Sequence, residues 1–196
     1  MRTTNPAKCG GLESTKPVIL SGDGKVKKTI RLPMEDFRKG VASPAAVIKG
    51  GVAGLLFAAA AEELTIQFCV PTDWDAASDM TLVLHCILNQ AEAANDLIDW
   101  ETSVISLADH ENALAPPGTQ TPGAAHDIVA VNADGDFHKV PIVVDYNHAT
   151  CPIAHGDNVS MVLSRTANVG TEGYVAGVIV IDICIEYQVS KLGETV

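Results

Sequence analysis

The chain has 196 residues, 47% hydrophobic and 19% charged, with 24 acidic side chains against 13 basic ones and a net charge of −11. That length and apolar content support one folded domain with a sizeable core and exclude a wholly disordered chain. The acidic balance excludes a protein that grips nucleic acid through its phosphates. The sparse charge is a pattern expected where subunits meet.

Residues 1–28 are rich in Gly, Thr, Lys and Pro without periodicity, which predicts an extended arm. No apolar core segment follows Met1, so no signal peptide is expected. Through residue 30 the chain carries Arg2, Lys8, Lys16, Lys25, Lys27 and Lys28 against Glu13 and Asp23, and the rest is strongly acidic. A basic arm on an acidic body is an interaction pattern, and a solvated tail is the plainer alternative. On the first reading, Lys8, Lys16, Lys25, Lys27 and Lys28 are the candidate partner contacts.

The body is expected over residues 29–189, with a tail at 190–196. Thr29–Leu32 suits a strand ended by Pro33, and Pro44–Lys49 suits a turn or a short helical piece. Residues 51–61 are apolar for eleven positions, too few to span a bilayer, so no membrane contact is expected. Gly51 and Gly54 within that run favour an extended entry into a sheet. Glu63–Val70 is the strongest strand pattern, with Leu64, Ile66, Phe68 and Val70 on one face. Pro71 ends it, and Asp73, Asp75 and Ser78 make a polar turn.

Met80–Asn89 reads as a strand covered on both sides, because Val83 and Ile87 oppose Met80, Leu82, Leu84, Cys86 and Leu88. Leu97–Leu107 is the next strand, and Ala108–Ala125 is a long Pro/Gly/Thr-rich loop. Ile128–Asn132 and Phe137–Asp145 flank Ala133-Asp134-Gly135-Asp136, which predicts a hairpin. Val159, Met161 and Leu163 alternate with serines in a further strand. The last strand, Gly177–Val189, places Ile179, Ile181, Ile183, Ile185 and Tyr187 on one face and Asp182, Cys184 and Glu186 on the other. The expected fold is all-β: an antiparallel sandwich, with an eight-stranded jelly roll as the best fit.

Several motifs occur in a set order. Phe68-Cys-Val-Pro-Thr-Asp-Trp-Asp75 leads to Met80–Leu88, then Asp99-Trp100-Glu101, then Gly156-Asp157 opening a strand that ends in Arg165, and last Val178–Tyr187. This order resembles jelly-roll virion proteins of tailed bacteriophages over about residues 55–188. The resemblance implies a decoration (cement) protein or head-fibre base, a homotrimer on the capsid exterior that binds the major capsid protein and is assembled in the host cytoplasm. It implies no catalytic residue. One departure is Thr166–Tyr174, where an Asp-rich segment is expected and Glu172 is the one acid.

No sequence signature of an enzyme, metal site or cofactor emerges. The five cysteines include no CxxC pair, so neither a disulfide framework nor a zinc ribbon is signalled. His148, Cys151 and His155 lack a fourth ligand; Asn132, Asp134 and Asp136 lack the downstream Glu of a calcium loop. Asp73, Asp75 and Asp79 are a further weak cation candidate. Asp99 with Glu101 and Asp182 with Glu186 are acid pairs that solvation explains unless they face one cleft. Trp74 and Trp100 are possible glycan platforms, which would make the chain a carbohydrate- or receptor-binding sandwich; packing in the core is the competing expectation.

Overall fold

A computed structural model describes residues 18–19, 25–34, 37–40, 42–59, 62–91, 96–113, 115–116, 118–128, 133–166, 174, 176–189 and 191–192. The strands are β1 (Val18–Ile19), β2 (Val26–Leu32), β3 (Arg38–Lys39), β4 (Ala45–Lys49), β5 (Val52–Phe57), β6 (Glu63–Cys69) and β7 (Met80–Leu88). They continue as β8 (Asp96–Leu107), β9 (Gly123–Ile128), β10 (Phe137–Val144), β11 (Asn158–Arg165), β12 (Val178–Val189) and β13 (Lys191–Leu192). β5 to β12 fall in two antiparallel sheets, ordered β10-β7-β12-β5 and β6-β11-β8-β9, and each step along the chain crosses between them except β8 to β9, which are neighbours. That interleaving is jelly-roll connectivity.

Among the described residues the strand count is ten rather than eight, setting aside the two-residue pieces β1, β3 and β13. The additions are β2 and β4, both on the larger sheet. Strand β4 replaces the turn or helix expected at Pro44–Lys49. It pairs β5 with Lys49 opposite Val52, joined by Gly50 and Gly51 at φ 58° and 83°. Two positive-φ residues between paired strands make the tight hairpin turn that glycine permits. β2 pairs the second half of β12 and β5 pairs its first half, because twelve residues span two partners on one edge.

The expected arm boundary at residue 28 falls inside β2, which begins at Val26. Residues 1–17 and 20–24, with Lys8 and Lys16, lie outside the described residues.

Two further expectations change. The Ala133–Asp136 turn joins no hairpin, because β9 pairs β8 in one sheet and β10 pairs β7 in the other. The turn instead caps β7: Gly135 N donates to Leu88 O, and Leu88 N donates to Asp136 O. The isoleucines of β12 do not share a face. The register against β7 shifts between Val180 and Asp182, a β-bulge with Ile181 as the extra residue. Val178 and Val180 therefore point inward with Ile183, Ile185 and Tyr187, whereas Ile179 turns outward. Gly54 lets the bulge sit close: a Cβ there would lie 2.5 Å from Ile179 Cγ2 and 2.7 Å from Val180 O.

The core lies between the sheets, built from the inward rows of β6, β7, β8, β11 and β12. At one flank, edge strands β9 and β10 bring His126 Nε2 to 3.0 Å from His138 Nδ1. Which ring donates across this contact depends on the tautomers, and among the described residues His138 Nε2 is buried with no partner. Burial lowers both pKa values, and His138 lowers that of His126 further; Asp127 and Asp136 partly oppose this. A depressed histidine pKa means that the unfolded chain binds more protons below about pH 6.5. Stability is therefore expected to be complete above that pH and to fall as the pH drops through the folded values. Thermal unfolding between pH 7.5 and 5 tests this: His138→Asn should flatten the slope, and an unchanged slope would exonerate the pair.

Candidate functional site

The Pro71–Asp79 turn is a knot. Trp74 N donates to Pro71 O, Asp75 N to Gln188 O, and Trp74 Nε1 to Ser78 O at 3.1 Å. Asp75 Oδ1 accepts from Ala77 N, and Ser78 Oγ donates to Asp75 O. Lys25 pairs with Asp75, and Lys28 with Asp73, which also accepts from Tyr187 Oη. Lys25 holds the Asp75 carboxyl below the usual range against the effect of burial, and Asp73 raises the Lys28 ammonium. Two of the five lysines expected to meet a partner thus bind this chain's own turn. Lys27 sits on the outer side of β2, lining a shallow depression with Asp79, Thr81 and Glu186.

The tryptophans are in the core. Trp74 is 0% exposed, edge-on to His155 and Tyr146. Trp100 is 2% exposed, edge-on to Phe57 at 5.1 Å between centroids. Neither indole presents a face on which a sugar could stack. The Gly-Asp motif is also internal: the buried Asp157 carboxylate accepts from Ser106 Oγ at 2.8 Å and from Ala154 N at 2.9 Å.

The two acid pairs do not converge. Asp99 and Glu101 lie on the outer face of the smaller sheet, Asp182 and Glu186 on the outer face of the larger. Asp134 is paired with Lys49, and Asp136 accepts from Ala133 N. Asp79 accepts from Tyr146 N, which separates it from the Asp73 and Asp75 partners. His148 accepts from Thr150, Cys151 is buried against Val104 O, and His155 contacts Pro71 O, so these three form no cluster. A second depression of about 230 Å³ is lined by Gln120, Thr121, Pro122, Val143, Asp145 and His148.

What the fold does assemble is the outer face of the larger sheet. Register places Phe137, Ile87 and Ile179 in one cross-strand row, and Lys139, His85 and Asp182 in the next. Pro141, Val83 and Cys184 follow, then Val143, Thr81 and Glu186. Phe137 and Val143 are 52% and 55% exposed. Pro141 is tolerated in β10 because that strand is an edge, where a missing N–H breaks no ladder. In the second row His85 Nδ1 lies 3.3 Å from Asp182 Oδ2, and Cys184 Sγ lies 3.6 Å from the same oxygen. Arg31 Nε approaches that carboxylate at 3.6 Å from β2. This trio is the one group of His, Cys and carboxylate atoms that converges among the described residues. The pattern of β12 did put Asp182 and Cys184 on one face, but no spacing signal links them to His85, 97 positions from Asp182.

No family model and no curated protein matches this chain. Solved structures do match. The second CBM22 xylan-binding domain of Paenibacillus barcinonensis Xyn10C aligns at 10% identity and TM-score 0.46, over 81% of this chain and 98% of that one. The CBM22-1–GH10 modules of Clostridium thermocellum Xyn10B, complexed with xylohexaose, align at 14% and 0.46, over 84% of this chain and 28% of that one. A CBM36 domain of a xylanase from the hindgut metagenome of Trinervitermes trinervoides aligns at 12% and 0.38, over 87% and 100%.

Proposed function

We propose that this chain is a structural protein that works by surface attachment, a virion component of the decoration type, assembled with copies of itself as a trimer on the outside of a phage shell. The observation that carries the reading is the outer row of β10. Phe137, Pro141 and Val143 stand exposed along an open sheet edge beside apolar Ile87 and Val83. Exposed apolar side chains on an outer sheet face are a surface for burial against another chain, while Lys139 and Pro141 blunt pairing along the β10 edge itself. The sparse charge of the whole sequence points the same way. The ordered motifs behind the virion resemblance hold the fold here: Trp74 and Asp75 tie the turn, Asp157 the Gly-Asp loop, and Arg165 the end of β11. Attachment needs no chemistry; about 1,600 Å² of complementary contact suffices, and repeated copies add avidity.

Light scattering on the full chain tests the assembly. A trimer is expected at micromolar concentration, and Phe137→Asp with Val143→Asp should weaken it by at least about a hundredfold in Kd, since two buried apolar side chains are worth ~1.5–3 kcal/mol each. A wild-type monomer defeats the reading. Imaging of particles that contain the chain tests the shell position.

A second reading, a carbohydrate-binding sandwich, is favoured by one feature. Phe137 is an exposed ring tilted against His85 at 5.6 Å between centroids, with Lys139 and Asp182 as polar neighbours. A glycan array decides it: binding that is lost in Phe137→Ala while the trimer persists supports the sugar, and a blank array removes it.

A further inference from the structure

We infer that His85, Asp182 and Cys184 form a three-ligand site for a zinc-class divalent cation on the outer face of the larger sheet. The inference does not depend on the attachment reading, because it rests on the bulge in β12 and the donor atoms that it gathers.

An unbulged β12 would keep strict alternation along its length, with the isoleucines at 179, 181, 183 and 185 on one side. The extra residue at Ile181 brings Asp182 into register with His85 while Cys184 stays on the same face, one row away. Bulges commonly re-aim side chains beside functional sites. The separations fit a metal. With Zn–N near 2.05 Å, Zn–O near 2.1 Å and Zn–S near 2.3 Å, tetrahedral angles put N and O about 3.4 Å apart and S and O about 3.6 Å apart. The observed separations are 3.3 Å and 3.6 Å. All three donor atoms lie within 4.8 Å of one another, so a small movement of the imidazole or thiol closes the third edge.

The donor set selects the ion. Imidazole, carboxylate and thiolate together suit zinc and its neighbours, whereas magnesium and calcium prefer oxygen alone. Three protein ligands leave one position open to water. The plainer alternative is a hydrogen-bonded cluster on Asp182, with His85 and Cys184 at those same distances and Arg31 as an ion pair. Arg31 is 80% exposed at its side chain and meets the carboxylate through one nitrogen at 3.6 Å. Such a pair is weak, so a cation can displace it.

The experiment is a Co²⁺ titration of the full chain, stripped with chelator and kept reduced. A thiolate-to-cobalt absorption band is expected, bleached by Zn²⁺. Cys184→Ser should abolish it. His85→Gln and Asp182→Asn should weaken Co²⁺ binding by at least the ~10–100-fold typical of lost supporting groups at metal sites. Arg31→Ala should leave binding unchanged or tighter, because it removes a competitor. His85→Gln alters a side chain that is 17% exposed at the sheet's outer face and decides the question if Cys184→Ser fails to fold. A wild-type chain without the band, a band that survives Cys184→Ser, or binding lost in Arg31→Ala overturns the site.

Discussion

Arg165→Leu is expected to lower the unfolding free energy by about 4 kcal/mol, from orphaned carbonyls at roughly 1–3 kcal/mol each. Arg165 ends β11 and is 4% exposed. Its guanidinium donates to Tyr174 O and Ala176 O, with a longer contact to Phe57 O, and it stacks 5.6 Å from the Tyr174 centroid. Tyr174 Oη in turn donates to Gln90 O and accepts from Gln90 N. One side chain therefore ties the end of the smaller sheet to segments beside β5, β7 and β12. Burial lowers the Arg165 pKa, but guanidinium remains the charged donor at neutral pH. Arg165→Lys should recover little, because an ammonium lacks the planar fork that reaches two carbonyls together. Urea unfolding measures both variants; a loss under about 1 kcal/mol for the leucine variant would mean that the carbonyls find water instead.

Trp74→Ala comes next, with an expected loss of about 3–5 kcal/mol for a large core aromatic. The indole fills the end of the sandwich and its Nε1 anchors Ser78 O, so truncation opens a cavity and frees the turn that Lys25 and Lys28 clasp. Trp74→Phe keeps most of the volume and should cost well under half as much. A glycan platform predicts the reverse pattern, with stability intact and binding lost. Calorimetry on the two variants separates the cases, and an alanine variant as stable as the parent would show that the ring is dispensable to the core.

These residues show how far the sequence carried. Period-two alternation marked β6 and β11 because each has one face on the core and one outside, so the pattern survives in a single row of letters. The two-sided character of β7 was equally plain, since Val83 and Ile87 lie at 6% and 7% exposure on its outer face. Strand β4 was missed although Gly50-Gly51 stood between two apolar runs, because short Ala-rich segments favour no one state. The Asp-Gly turn misled for a different reason. A turn fixes the local chain direction, but whether the next strand stays in its sheet or crosses to the other depends on which partner edge is open. For Lys25 and Lys28 the charge was legible, but their partners Asp75 and Asp73 are 50 and 45 residues away.

By itself, then, the sequence determined the class: alternating apolar residues can be buried only by stacking two sheets, and that requirement is local and additive along each strand. The tertiary structure decided which faces those strands turn outward. One inserted residue in β12 reversed the side-chain parity of half a strand and set His85 beside Asp182 and Cys184. Parity is a running property of the paired ladder, and a bulge is stabilised by the fit of neighbours such as Gly54, so no window of letters around Ile181 contains the information.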